Sequence, residues 1–283
     1  MSELSLRETL SFCTTKIDAI VDDKHIVSGT GFFFNLKLTD DKVAPVIITN
    51  KHVAVGKKSI TFYLSKQDRD GKPVFEAPIQ LTLSTEDLKN NLYEHPDKEV
   101  DLCAITVRPI IEEAKKQGFN VFYKSLTNSN IPTAEQVDKL DAVEDVQMIG
   151  YPNALWDRAH NMPLIRKGIT ATWPKLDFNG KKEFLIDAAC FPGSSGSPVF
   201  ICDLGLYYSK EAHDTIIGNR FMLLGIQYAV PIRTVEGTIV KKTLEGGIDE
   251  YIAKTESMLN LGYIIKSECI LDLIPILKKD LNI

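Results

Sequence analysis

Residues 191–200 read FPGSSGSPVF: two glycines, two prolines and three serines in one short stretch with apolar flanks. Gly, Pro and Ser are the residues that tight turns select, so the stretch reads first as a bend joining two strands. The flanking runs, EFLIDAAC (183–190) and SPVFICDL (197–204), are short, apolar and strand-like. The same bend can also hold a serine, Ser195, as a nucleophile, with free backbone N–H groups beside it to stabilise an oxyanion. That second reading requires partners elsewhere in the chain.

Outward from this bend the same texture repeats: GTGFFFNLKL, PVIITN, SITFYLS, PIQLTL, DLCAITV, VQMIGYP, FMLLGIQYAV and GYIIKS, each bounded by turn residues. Many short strands at such spacing predict an all-β protein, a sandwich or barrel rather than alternating β and α units. Helical pattern is scarce. RPIIEEAKKQG predicts a short helix closed by Gly118, and ILDLIPILKKDLNI a C-terminal one in which Pro275 sits early or makes a kink. SLTNSNIPTAEQVDKLD (125–141) is the candidate connection between halves, dividing the chain into 1–125 and 126–283.

The chain has 283 residues, 44% of them hydrophobic, enough for one large or two modest folded domains. Its formal charge of -5 gives no electrostatic footprint for nucleic acid. The five cysteines are scattered, odd in number and without CxxC spacing, which points to free thiols, with neither a disulfide framework nor a metal site expected. MSELSLRETLSFC carries Glu3, Arg7 and Glu8 where a secretory signal has an apolar run, and no segment reaches membrane-span length. The expectation is a soluble cytoplasmic protein with no cofactor.

A serine hydroxyl attacks only when a base takes its proton, and that base needs a carboxylate to orient it. Of five histidines, only His52 directly follows an apolar strand, in VIITNKHVAV; His25 and His95 lie in charged loops and read as solvated, and His160 and His213 are loop-like. Asp101 heads the apolar segment DLCAITV, where burial beside an imidazole is worthwhile. Taken singly, each is equally a strand-end residue. Together they run His52, Asp101, Ser195, the chymotrypsin-type order and not the Ser, Asp, His order of α/β-hydrolases. GSSGS also departs from G-x-S-x-G at Ser197.

On these segments the chain resembles a trypsin-like, chymotrypsin-fold serine peptidase, nearest to the high-temperature-requirement A branch. GTGFFF is similar to that branch's glycine-led strand, ITNKHVA to its histidine segment, DLCAITV to its aspartate strand and IDAACFPGSSGSPVF to its nucleophile loop. MIGYPNAL, LLGIQYAV and GYIIKSECI follow in the family's order. The resemblance implies two six-stranded Greek-key barrels with a cleft between them. It implies that Ser195 attacks, His52 serves as base and then acid, Asp101 holds the imidazole, and the Gly193 and Ser195 N–H groups form the oxyanion hole.

Ser194 cannot supply the aspartate that digestive relatives pair with a new N-terminus, so regulation by loop ordering is expected instead. The resemblance implies that Ala189 stands where trypsin has its acidic pocket base, so Lys or Arg before the scissile bond is not favoured. Tyr228, Ala229 and Val230 would pair with substrate backbone as an added strand, and Val230 points to small aliphatic side chains. Cys190 and Phe191 read as wall or packing residues. Too little chain follows Val230 for a peptide-binding PDZ domain. The stretch 151–174, with Trp156 and Trp173, either lines the cleft or packs as a surface loop. The expected activity is peptide-bond hydrolysis on a polypeptide substrate. A catalytically quiet peptide-binding module and an esterase on the same scaffold stay open as alternatives.

Overall fold

The computed structural model describes residues 4–242 and 248–283. Nine strands make the first sheet, eight from residues before 126 and a ninth just past that boundary: β1 (Thr14–Ile20), β2 (Ile26–Lys37), β3 (Val43–Thr49), β4 (Ser59–Gln67), β5 (Pro73–Ser84), β6 (Leu92–Glu94), β7 (Cys103–Thr106), β8 (Val121–Phe122) and β9 (Leu126–Thr127). They form one sheet ordered β5-β4-β1-β2-β3-β7-β6, with β8 on β4 and β9 on β2. The second half supplies β10 (Asp145–Gly150), β11 (Leu164–Thr170), β12 (Glu183–Asp187), β13 (Pro198–Ser209), β14 (Asp214–Ala229), β15 (Ile232–Lys242), β16 (Ile248–Met258) and β17 (Leu261–Lys266). Six of these close a barrel in the order β10-β11-β12-β17-β14-β13, while β15 and β16 form a separate two-stranded sheet.

The all-β class with a few short helices is therefore as the sequence predicts, and the second half is a six-stranded barrel. The first half carries more strands than six. Strand β1 pairs with β4 only as far as Tyr63, and β8 takes the edge it leaves at Ser65 and Lys66. Covering an open edge in this way removes unpaired backbone groups that would otherwise template aggregation.

Every apolar run quoted from the sequence carries a strand. Strands β1 (TTKIDAI) and β11 (LIRKGIT) escaped that reading because charged residues interrupt them. The 108–118 segment is helical over Arg108–Lys116 and ends at Gly118, whose φ of 81° is a left-handed conformation that glycine adopts without a Cβ penalty. The C-terminus is a 3-10 segment, Ser267–Leu273, running into an α-helix, Ile274–Asp280, with Pro275 in the first turn where no N–H is needed. Among the described residues, no helix is long and apolar enough to cross a membrane.

The cores explain why the halves stay together. One cluster lies within the first sheet, around Ile17, Ile47, Ile60 and Phe62, and another within the barrel, around Phe184, Val199, Ile201 and Ile264. A third belongs to both: Phe32, Phe34 and Ile48 pack with Phe200, Leu223 and Ile226, and the C-terminal Cys269, Ile270, Leu273 and Leu277 close it. The seam is thus a hydrophobic core rather than a wet interface. Replacing fully buried Leu273 by Ala is expected to cost about 2–5 kcal/mol. In urea denaturation the midpoint falls while the transition stays single; two separated transitions would show that the halves do not share this core.

Candidate active site

His52 and Asp101 meet because their strands are neighbours. Strand β3 runs into the site and β7 runs out of it, paired through Thr49 and Cys103. A single helical turn, Lys51–Ala54, follows β3 and carries His52, while Asp101 lies two residues before β7. The Asn50 side-chain N–H donates to the Asp101 carbonyl at 2.7 Å, locking the two ends together.

Asp101 grips His52 at two points. Its Oδ2 lies 2.5 Å from the ring Nδ1, and its Oδ1 accepts the His52 backbone N–H at 3.1 Å. The two-point contact fixes ring orientation and makes Nδ1 the protonated nitrogen, leaving Nε2 to accept. Burial pushes the Asp101 carboxyl up, but hydrogen bonds from the His52 ring and from the His52 and Lys51 backbone N–H groups outweigh it and hold the pKa below the ordinary value. The His52 side chain is 45% exposed against 23% for Asp101, so the ring faces outward from a partly buried anion.

Ser195 lies on the bend between β12 and β13, half-buried. Gly193 and Gly196 on either side have φ of 87° and 88°, where a Cβ is strained. A Cβ on Gly196 would fall 1.9 Å from the Thr30 carbonyl oxygen. The bend is held from both halves. Thr30 donates its N–H to the Ser195 carbonyl at 2.8 Å and its hydroxyl to the Gly193 carbonyl at 3.1 Å, and accepts the Tyr151 N–H at 3.2 Å. From the barrel, Gly196 N–H reaches the Gln227 carbonyl at 2.8 Å and Gln227 N–H the Ser197 carbonyl at 2.9 Å. In the sequence Thr30 is simply one residue of a strand; its role depends on contacts 163–165 residues away along the chain, which leave no local signal.

The Asn153 N–H donates to the Pro192 carbonyl at 2.5 Å. Because a trans peptide directs C=O and N–H to opposite sides, this bond turns the Gly193 N–H away from Asn153. Among the described residues neither the Gly193 nor the Ser195 N–H has a hydrogen-bond partner, so two amide donors stand free beside the serine. The Ser195 hydroxyl donates to the Tyr228 carbonyl at 3.4 Å, and no hydrogen bond joins it to His52. The segments that carry them both pack on Gly29: a Cβ there would meet the side chain of Val53, next to His52, at 2.7 Å and the Ser195 backbone carbonyl at 3.3 Å.

Around the bend, Ala189 is exposed and Cys190 fully buried, its Sγ occupying the space a Cβ on Gly262 would need. Burial pushes the Cys190 thiol up to about 11, so it stays protonated at neutral pH and is a packing residue. Phe191 packs under the Arg166 guanidinium, 4.9 Å from the ring centre. Val230 is half-buried against the barrel core, and the Ala229 carbonyl accepts the Gln227 side-chain N–H at 3.1 Å. The Tyr228 hydroxyl reaches away, to Glu183 Oε2 at 2.5 Å. Ser194 is buried with an unpartnered hydroxyl.

One histidine corrects the sequence reading. His95 is only 4% exposed, because the charged residues around it tie it down instead of solvating it. The Asp97 N–H donates to its Nδ1 at 3.1 Å, and its Nε2 lies 3.2 Å from Asp272 Oδ2 on the C-terminal 3-10 segment. Cys269 completes a cluster of three possible donors within 4.8 Å. The proton-accepting Nδ1 leaves Nε2–H to donate to Asp272, a hydrogen-bonded tie rather than a vacant lone pair aimed at an ion. His25, His160 and His213 are exposed as expected.

The profile of the trypsin-like peptidase domain matches residues 29–205. No curated protein sequence matches the chain. Among solved structures, it is similar to a protease from M. tuberculosis in its active form, at 15% identity over 95% of this chain and 82% of that one, with a TM-score of 0.46. It is also similar to a serine endoprotease from Yersinia pestis (14% identity, 99% and 69% of the chains, TM-score 0.47). A third is the catalytically active tobacco etch virus protease complexed with product (11%, 94% and 77%, TM-score 0.46). The profile spans more than half of the sequence and takes in His52, Asp101 and Ser195: the chain belongs to the trypsin-like peptidase family of serine proteases.

Proposed function

We propose that the protein is a serine endopeptidase that cleaves polypeptides through a Ser195–His52–Asp101 triad and an acyl-enzyme. The observation that carries this reading is the two-point grip of Asp101 on His52 opposite a bend whose Gly193 and Ser195 amides are free. In this mechanism the Ser195 hydroxyl turns from the Tyr228 carbonyl toward Nε2 of His52 as substrate binds. Nε2 takes its proton as Oγ attacks the scissile carbonyl, the two amides stabilise the oxyanion, and the same proton passes to the leaving amine. Water then repeats the sequence on the acyl-enzyme. Asp101, held ionised, stabilises the imidazolium formed in each step.

The substrate's backbone would add as a strand along Tyr228–Val230, using the Tyr228 carbonyl that the resting hydroxyl occupies. Ala189 offers no carboxylate for a basic side chain, and the apolar Val230 and buried Cys190 suit small aliphatic residues. Five buried, unpaired cysteines fit a reducing compartment, the cytoplasm. The second reading, a quiet peptide-binding module, is favoured by one observation, the absence of a Ser195–His52 hydrogen bond; such bonds also tighten only on substrate binding in working enzymes.

A fluorophosphonate reporter decides between them. The parent is expected to be labelled at Ser195, Ser195→Ala and His52→Ala are expected to be silent, and Asp101→Asn is expected to slow turnover about 10⁴-fold by trapping the wrong tautomer. A folded parent that resists labelling and cleaves no peptide overturns the endopeptidase reading.

Asp101 also leaves a stability signature. Its folded pKa lies below the ordinary 3.8, so its contribution is fully present above that value and is lost as pH falls through the lower folded one. The urea midpoint of the parent minus that of Asp101→Asn is expected to shrink as pH falls below about 4. A difference that does not change with pH would mean that Asp101 is not held ionised by His52.

A further inference from the structure

The segment 151–163 leaves the barrel, crosses to the first sheet and returns, and both of its ends carry unusual backbone or burial. At the near end Asn153 (φ 49°, ψ 32°) and Ala154 (φ 55°) are both left-handed. For alanine this costs about 1–2 kcal/mol. Such strain persists only where the surroundings over-determine it. This strained turn is the one whose Asn153 N–H holds the Pro192 carbonyl and so turns out the Gly193 amide.

Two residues on, Trp156 docks on the other half. Its ring lies 4.8 Å from Nζ of Lys16, a lysine only 2% exposed, and makes an edge contact with Tyr63 at 5.4 Å between centres. Arg158 lies over the same indole at 4.8 Å. Lys16 also sits over the Tyr63 ring and is paired with Asp18, which accepts from the Tyr63 hydroxyl at 2.7 Å and Ser28 at 2.6 Å. Buried Asn161 ties the far end to β4, donating to Ser65 Oγ at 3.1 Å. The indole N–H is buried without an acceptor, at a cost of about 1–3 kcal/mol, so cation–π and edge contacts hold the ring in spite of that cost.

We propose that Trp156, seated on the buried Lys16–Tyr63 platform, is a positioning residue that couples docking of this strap onto the first sheet to formation of the oxyanion hole. The coupling runs through the strained Asn153–Ala154 turn and the Pro192 carbonyl. It rests on the endopeptidase reading above and adds to it a residue outside the triad that sets kcat rather than substrate binding. A strap seated on one half and clamping the nucleophile loop of the other makes the site competent only when the two are docked.

The test pairs acylation rate with amide hydrogen exchange on the full chain. Trp156→Ala is expected to slow fluorophosphonate acylation about 10²-fold, the scale of one lost oxyanion donor. Peptide affinity measured in the Ser195→Ala background should stay within about 3-fold, the split of a group acting in the transition state. Exchange in the peptide covering 188–197 should rise. Trp156→Phe, which keeps an aromatic face, should retain most activity. Adding Ala154→Gly to Trp156→Ala should restore about 10-fold, because glycine holds the left-handed turn without strain; a Trp156 that served only stability would not be rescued there. Parental acylation in Trp156→Ala overturns the coupling, and so does slow acylation with unchanged exchange at 188–197. Absence of labelling in the parent itself would instead sink the endopeptidase reading, and the exchange comparison would then decide the coupling alone.

Discussion

The geometry of the site depends on the hydrogen bonds that Thr30 sends across the seam. A threonine of the first sheet, fully buried, donates to the carbonyls of Ser195 and Gly193 and accepts from Tyr151 at the start of the strap. With the halves docked, each of these groups would be a buried, unsatisfied polar atom without its partner, so the apolar core around them and the hydrogen bonds within it reinforce each other. The glycines follow from the same constraint. Gly196 sits against the Thr30 carbonyl, and a Cβ on Gly150 would fall 2.0 Å from Ser197 Oγ and 2.7 Å from Thr30 Oγ1, so the close approach of two backbones excludes any side chain.

On this seam the chemistry divides by half. In the proposed mechanism the first sheet supplies the base: Asp101 is partly buried against His52 and hydrogen-bonded enough to stay ionised. The barrel supplies a serine and two free amides, turned outward by the clamp on Pro192. In the proposed mechanism neither half holds both parts of the acyl-transfer site, so activity would depend on the relative placement of the halves. Placement is secured three ways, through the shared core, through Thr30 and through Trp156 on Lys16. The tie between His95 and Asp272 adds a fourth contact on the side of Asp101.

The sequence by itself determined the strand texture, the order His52, Asp101, Ser195 and the glycine-rich bend, because each is a local pattern: alternating apolar runs, a histidine after a strand, small residues at a turn that needs positive φ. It misjudged His95, since the acids and lysine in YEHPDKE suggest solvent, whereas one of that segment's backbone N–H groups and a carboxylate 177 residues away bury the ring. It passed over β1, whose Lys16 breaks the apolar pattern; the lysine is buried because Asp18 lies beside it and Tyr63 and Trp156 offer their ring faces. It left Trp156 between cleft and surface, and the structure seats it on the opposite sheet. What only the tertiary structure decided was every relation across the seam: the orientation of the Gly193 amide, the hub at Thr30 and the platform under the strap. The physical reason is that these are contacts between segments remote in sequence, made by unremarkable residues whose importance comes from what folding puts opposite them.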